Sequence, residues 1–110
     1  MKPIPRSWLI HSAALQQAAK DANQNLTYTT IANLTHVRME PSARQVVTAN
    51  GAQKQLTMTM FFDARNSAPA GMAFEVGKYV LFGSVHYRVE IVDPLYDGQK
   101  LHHYEVGLSG

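Results

Sequence analysis

A chain of 110 residues with 45% hydrophobic and 16% charged side chains can bury one modest core, and a single domain spanning residues 1–110 is expected. The absence of cysteine excludes disulfides and thiolate metal sites, and no apolar run approaches the roughly 18 residues a membrane helix needs. A net charge of +2 without a Lys/Arg cluster is a mild basic bias that does not by itself point to sequence-specific reading of DNA or RNA.

The opening Met1-Lys2-Pro3-Ile4-Pro5 lacks the apolar stretch of a signal peptide, and its prolines keep it extended and irregular. Residues 7–15 alternate weakly, with Leu9, His11, Ala13 and Leu15 on one side and Trp8 and Ile10 on the other. A strand is expected there, followed by a polar connector through Asn25. Residues 12–22 also hold good helix formers behind Ser12, a suitable cap. Only Leu15 would anchor such a helix, which makes it the weaker alternative.

Residues 26–31 and 34–39 are rich in Thr, Tyr, Val and Ile and read as two further strands. Pro41, lacking a donor, is expected to end pairing. Residues 45–48 lead into Asn50-Gly51, a strong hairpin signal. The chain returns over residues 54–62, where Leu56, Met58, Met60 and Phe62 alternate with Thr57, Thr59 and Phe61. Residues 63–73 then lose all apolar period, in a loop longer than the about two to five residues of a hairpin connection.

The last third carries the clearest pattern. Gly83-Ser84 and Asp97-Gly98 both suit tight turns. Folding about the first sets Phe82 opposite Val85 and Val80 opposite Tyr87. Folding about the second sets Ile91 opposite Tyr104, Val89 opposite Val106 and Tyr87 opposite Leu108. Every such pair is apolar, while His86, Arg88, Glu90, His103 and Glu105 fall on the other face. Three antiparallel strands are expected at residues 78–82, 85–92 and 101–108. With the strands before them, the fold class is all-β: a small antiparallel barrel or sandwich of about six to eight strands with one long loop.

The five histidines are the only candidates for metal or acid–base chemistry. His102 and His103, adjacent in a strand, should point to opposite faces and so cannot share an ion. His86 falls opposite Ser109, away from His103, and no Asp or Glu completes a set. Neither metal nor cofactor is expected. There is no cysteine nucleophile, no G-x-S-x-G elbow and no glycine-rich phosphate loop, and the chain is not expected to be an enzyme. Glu90 and Glu105 face each other, but Arg88 lies diagonally across from Glu105, which reads as a solvated charge network. Tyr79, Tyr87, Tyr96, Tyr104, Phe61, Phe62 and Phe82 could stack bases, so a small β-barrel binding single-stranded nucleic acid is the alternative reading. Against it, Phe82, Tyr87 and Tyr104 fall on the face that must be buried.

Four segments occur in a telling order over about 100 residues. They are Ile4-Pro5-Arg6-Ser7-Trp8-Leu9-Ile10-His11; Ile31-Ala32-Asn33-Leu34-Thr35-His36-Val37-Arg38-Met39-Glu40-Pro41-Ser42; Phe61-Phe62-Asp63 followed by Asn66-Ser67; and Lys100-Leu101-His102-His103-Tyr104-Glu105-Val106. In this the chain resembles the tailed-phage minor capsid proteins of the head–tail connector, or head-completion (stopper), group. Residues 14–23 depart from that pattern, being Ala/Gln-rich where relatives tend to be β-like. The resemblance implies a structural virion protein that joins the portal side of the head to the tail, in a ring around the DNA channel, and helps retain packaged DNA. Implied partners are copies of itself, portal or adaptor proteins, tail-completion proteins and, non-specifically, packaged double-stranded DNA, with no membrane. The implied location is the virion neck, with the host cytoplasm during assembly. The long loop would line or plug the channel, which makes Asp63, Arg65, Asn66 and Ser67 candidate channel or subunit contacts. The loop is expected to be mobile in the isolated subunit, with Arg65 its only basic residue.

Overall fold

Apolar side chains at every second position require a second layer or a closed ring, and here the sheet closes on itself. The computed structural model describes residues 2–47 and 50–110. It holds six strands: β1 (His11–Lys20), β2 (Leu26–Val47), β3 (Gln53–Asp63), β4 (Tyr79–Phe82), β5 (Val85–Asp97) and β6 (Lys100–Ser109). Their order around the barrel is β1-β2-β3-β6-β5-β4, with β4 returning to β1 and every pairing antiparallel. No helix occurs among the described residues. The expected all-β class is therefore found, in its barrel form. Leu34, Val37, Met60, Val80, Val89, Val106 and Leu108 are fully buried at the centre, with Leu15, Met39, Phe62 and Phe74 around them. Phe82, Tyr87 and Tyr104 pack against this core as their alternation requires.

The β4–β5 hairpin has the expected register, with Phe82 opposite Val85 and Val80 opposite Tyr87. The β5–β6 register differs. Asp97 pairs with Lys100, so the two turn residues are Gly98, at φ 65°, and Gln99 rather than Asp97-Gly98. Val89 consequently faces Leu108, two residues from its expected partner Val106, and a two-residue slip keeps each side chain on its own face. Glu90 is then an extra residue in β5, so beyond it Val92 faces Val106 and Asp93, not Glu90, faces Glu105. A compensating extra residue in β6, His102, lies between Leu101 opposite Tyr96 and His103 opposite Leu95. Ser109 faces Arg88 rather than His86. Glu90, nearly buried, bonds Arg88 Nη1 at 2.5 Å and accepts from Ser109 Oγ at 2.5 Å, so Arg88 is committed to Glu90 and not to Glu105.

The N-terminal half departs further from its local propensities. Residues 5–9 form a turn in which Trp8 N donates to Pro5 O at 3.0 Å, and β1 starts at His11 and runs to Lys20. The Ala/Gln segment is thus strand, neither helix nor connector; pairing with β2 through Lys20 and Leu26 outweighs its helix propensity. The two strands expected at 26–31 and 34–39 are one 22-residue strand that continues through Pro41 to Val47. Pro41 is tolerated because β1 leaves β2 at Val37, so β2 is an edge strand on that side, and an irregularity follows between Pro41 and Arg44. The expected hairpin at Asn50-Gly51 is present, with Val47 opposite Gln53; Thr48, assigned to its first strand, lies outside the described residues.

Because β4 meets β1 only at residues 14–16, β1 beyond Gln16 is paired with β2 alone. The same holds where β2 and β3 run past Met58, and where β5 and β6 run past His103. These three two-stranded extensions project from the closed part and stretch the molecule to 48 × 29 × 24 Å.

Candidate functional site: a tethered loop, a histidine pair and a cationic cleft

At the end of β3, Asp63 is completely buried and turns its carboxylate back on the chain. Its Oδ2 accepts from the backbone N–H of Arg65 at 3.0 Å and Asn66 at 2.8 Å, and its Oδ1 accepts from Ile4 N at 2.9 Å. Asn66 Nδ2 donates to Ile4 O at 2.7 Å. Ser67, also buried, accepts from Asp63 N at 2.9 Å and donates to His36 O. His36 sits at φ 54° where β2 carries one extra residue against β1, and the adjacent Thr35 exchanges two 3.0 Å backbone bonds with Ala68. The first half of the long loop is therefore fastened to the kink of β2 and to the N-terminal segment. No buried side-chain nitrogen or oxygen among the described residues is left without a partner.

The N-terminal segment lies as a strap across the same side. Besides its Ile4 bonds, Trp8 O accepts from Arg38 Nη1 at 3.3 Å, and the Arg38 guanidinium lies 4.8 Å from the Trp8 ring centre. Trp8 meets Phe61 edge-on at 5.1 Å, and His103 stacks on Phe61 at 6.3 Å.

Adjacency in β6 was expected to drive His102 and His103 apart, but the extra residue in the strand brings them together, with Nδ1 atoms 2.7 Å apart. The outer nitrogens also have partners: His102 Nε2 lies 2.6 Å from Lys2 O and His103 Nε2 lies 2.9 Å from Glu105 Oε2. All four ring nitrogens of the pair therefore have a hydrogen-bonding partner, with donor and acceptor roles set by the tautomers.

Next to this pair lies a cleft of about 540 Å³, lined by Pro3, Arg65, Asp97, Lys100, Leu101 and His102. Of the four loop residues singled out in the sequence, Arg65 is exposed at this cleft, Asn66 is half-buried against Ile4, and Asp63 and Ser67 are interior anchors. Lys100 and His102 complete the site; nothing in the sequence set them beside Arg65, since they share the cleft with it only through the β5–β6 turn and its extra residue. No group of three or more metal-ligating side chains converges among the described residues.

A family model of the minor capsid protein matches residues 5–108. The chain belongs to the minor capsid protein family. No curated protein matches it. As a minor capsid protein it takes a structural part in a virion, and its family suggests a non-enzyme.

Proposed function

We propose that this minor capsid protein sits at the head–tail neck, where it joins the portal side of the head to the tail as part of a ring around the DNA channel and helps retain packaged DNA. Its partners in that position are further copies of itself, the portal or adaptor protein and tail-completion proteins. The observation that carries this reading is the set of three two-stranded extensions, each with strand edges that no other described strand pairs. Such edges expose rows of N–H and C=O groups, and neighbouring subunits can satisfy them by adding strands to one another. A head-to-tail contact of that kind closes into a ring when its rotation closes. The family match supports the virion half of the reading.

The test is complementation. Lysates of a phage lacking the protein should accumulate heads that leak DNA and free tails, and purified protein should restore joined, infectious particles. Gold-labelled antibody should decorate one vertex of the particle. Label spread evenly over the capsid shell would overturn the neck assignment.

A further inference from the structure

We propose that the cleft between the 63–73 loop, the β5–β6 turn and the N-terminal strap holds a backbone phosphate of double-stranded DNA, gripped by Arg65 and Lys100. This rests on the neck reading. Arg65 and Lys100 are both exposed and both line the cleft, yet neither takes part in an ion pair among the described residues. The acids that could neutralise them are occupied. Asp63 is closed around the N–H groups of Ile4, Arg65 and Asn66, and Glu105 is held by His103. Asp97 is the one acid among the described lining residues, so these residues bring two cations, Arg65 and Lys100, against one carboxylate.

The chemistry fits a phosphodiester. Arg offers a planar fork of donors suited to two phosphate oxygens, and Lys a compact point charge. His102 has its Nε2 turned to Lys2 O and its Nδ1 to His103, so it forms the wall and leaves the grip to the two long side chains. At about 540 Å³ the cleft falls within the roughly 300–1,000 Å³ of small-ligand sites, enough for a phosphate with its flanking sugars. The described lining residues present no fixed row of donors and acceptors to base edges, so the contact is independent of sequence and sensitive to salt. The anchoring of Asp63 and Ser67 sets Arg65 on a fastened turn, which spares part of the ordering cost on binding.

The experiment is an NMR titration of the isolated chain in low salt with a 12-base-pair duplex of mixed sequence, and separately with inorganic phosphate at equal phosphate concentration. The duplex should shift the Arg65 side-chain N–H and the Lys100 amide. Arg65→Ala combined with Lys100→Ala should weaken duplex binding at least tenfold and reduce the slope of log K against log salt by roughly 0.9, the value for one phosphate no longer neutralised. Arg44→Ala with Lys54→Ala, on the β2–β3 extension, should leave binding unchanged. Wild-type affinity in the cleft variant, or loss of binding in the β2–β3 variant instead, would overturn the assignment. Equal shifts from inorganic phosphate and from duplex would overturn it in favour of a free-anion site. If gold labelling finds the protein at the neck while the cleft variant binds duplex normally, the cleft assignment alone fails.

Discussion

At the scale of single residues, two positions decide more than their chemistry announces. Gly107 is the first. A methyl group built on it would lie 2.6 Å from Ile91 Cγ2 and 2.7 Å from Leu56 Cδ1. The Ile91 branch is fixed close to its backbone and Leu56 is fully buried, so neither side chain can step aside freely. Gly107→Ala should cost about 1–3 kcal/mol through overpacking, read as a lower midpoint in urea unfolding. Asp63 is the second. In the sequence it looked like a polar entry to a mobile loop, whereas its carboxylate collects three backbone donors and ties the N-terminal strap down. Asp63→Ala strands those donors and should cost on the order of 3 kcal/mol. It should also shift the emission of Trp8, the sole tryptophan, to the red as the strap loosens. Unchanged stability together with unchanged emission would show that the strap is held by its other contacts, those with Arg38, Phe61, Asn66 and His102. Such roles were not legible beforehand, because a buried carboxylate and a solvated one have the same letter and differ only in what the fold brings to them.

At the scale of elements, legibility followed side-chain size. Where large apolar residues alternate, as in Val80, Tyr87, Val89, Val106 and Leu108, the strands and their buried face could be read directly. Register was less legible, because an extra residue such as Glu90 or His102 changes pairing without leaving a mark in the alternation. The Ala/Gln segment failed for the opposite reason: it carries no large residue to signal a strand, and only the partner β2 makes it one. Its outer part is paired with β2 alone, and residues 19–27 are exposed. Replacing residues 19–27 with Asn-Gly, directly between Ala18 and Tyr28, should therefore change unfolding free energy by less than about 1 kcal/mol, since loop length enters closure entropy only logarithmically and the core residues Leu15 and Leu34 are untouched. A larger loss in urea unfolding would mean that the extension belongs to the cooperative core. The 63–73 loop divides differently. Its fastened half, up to Ala68, supports the strap, so only a deletion confined to the residues after Ala68 should spare stability.

At the scale of the whole molecule, the closed barrel and its extensions separate two tasks. The barrel supplies rigidity: residues at its centre are fully buried and the ring has no edge there. The extensions supply the edges. Their presence is visible in the dimensions, since a radius of gyration of 14.1 Å exceeds the about 13 Å typical of a compact chain of this length. The sequence pattern could indicate a closed or layered sheet but not these projections, because which residues pair on one side only is a property of the assembled topology. Amide hydrogen exchange reads both tasks at once. In the isolated subunit, exchange should be slowest for the buried residues Val37, Met60, Val89 and Val106, whose strands are paired on both sides or lie at the core. It should be faster by orders of magnitude at residues 17–20, 53–57 and 93–97, where each strand has an edge that no other described strand pairs. Assembly into a ring by strand addition closes those edges. Joined particles, or rings formed by the purified protein, should then show strong protection at one or more of these three stretches while the barrel centre is unchanged. Which stretches gain protection identifies the two faces of the head-to-tail contact. Protection confined to the barrel wall, with all three extensions exchanging as fast as in the free subunit, would overturn strand addition as the means of assembly.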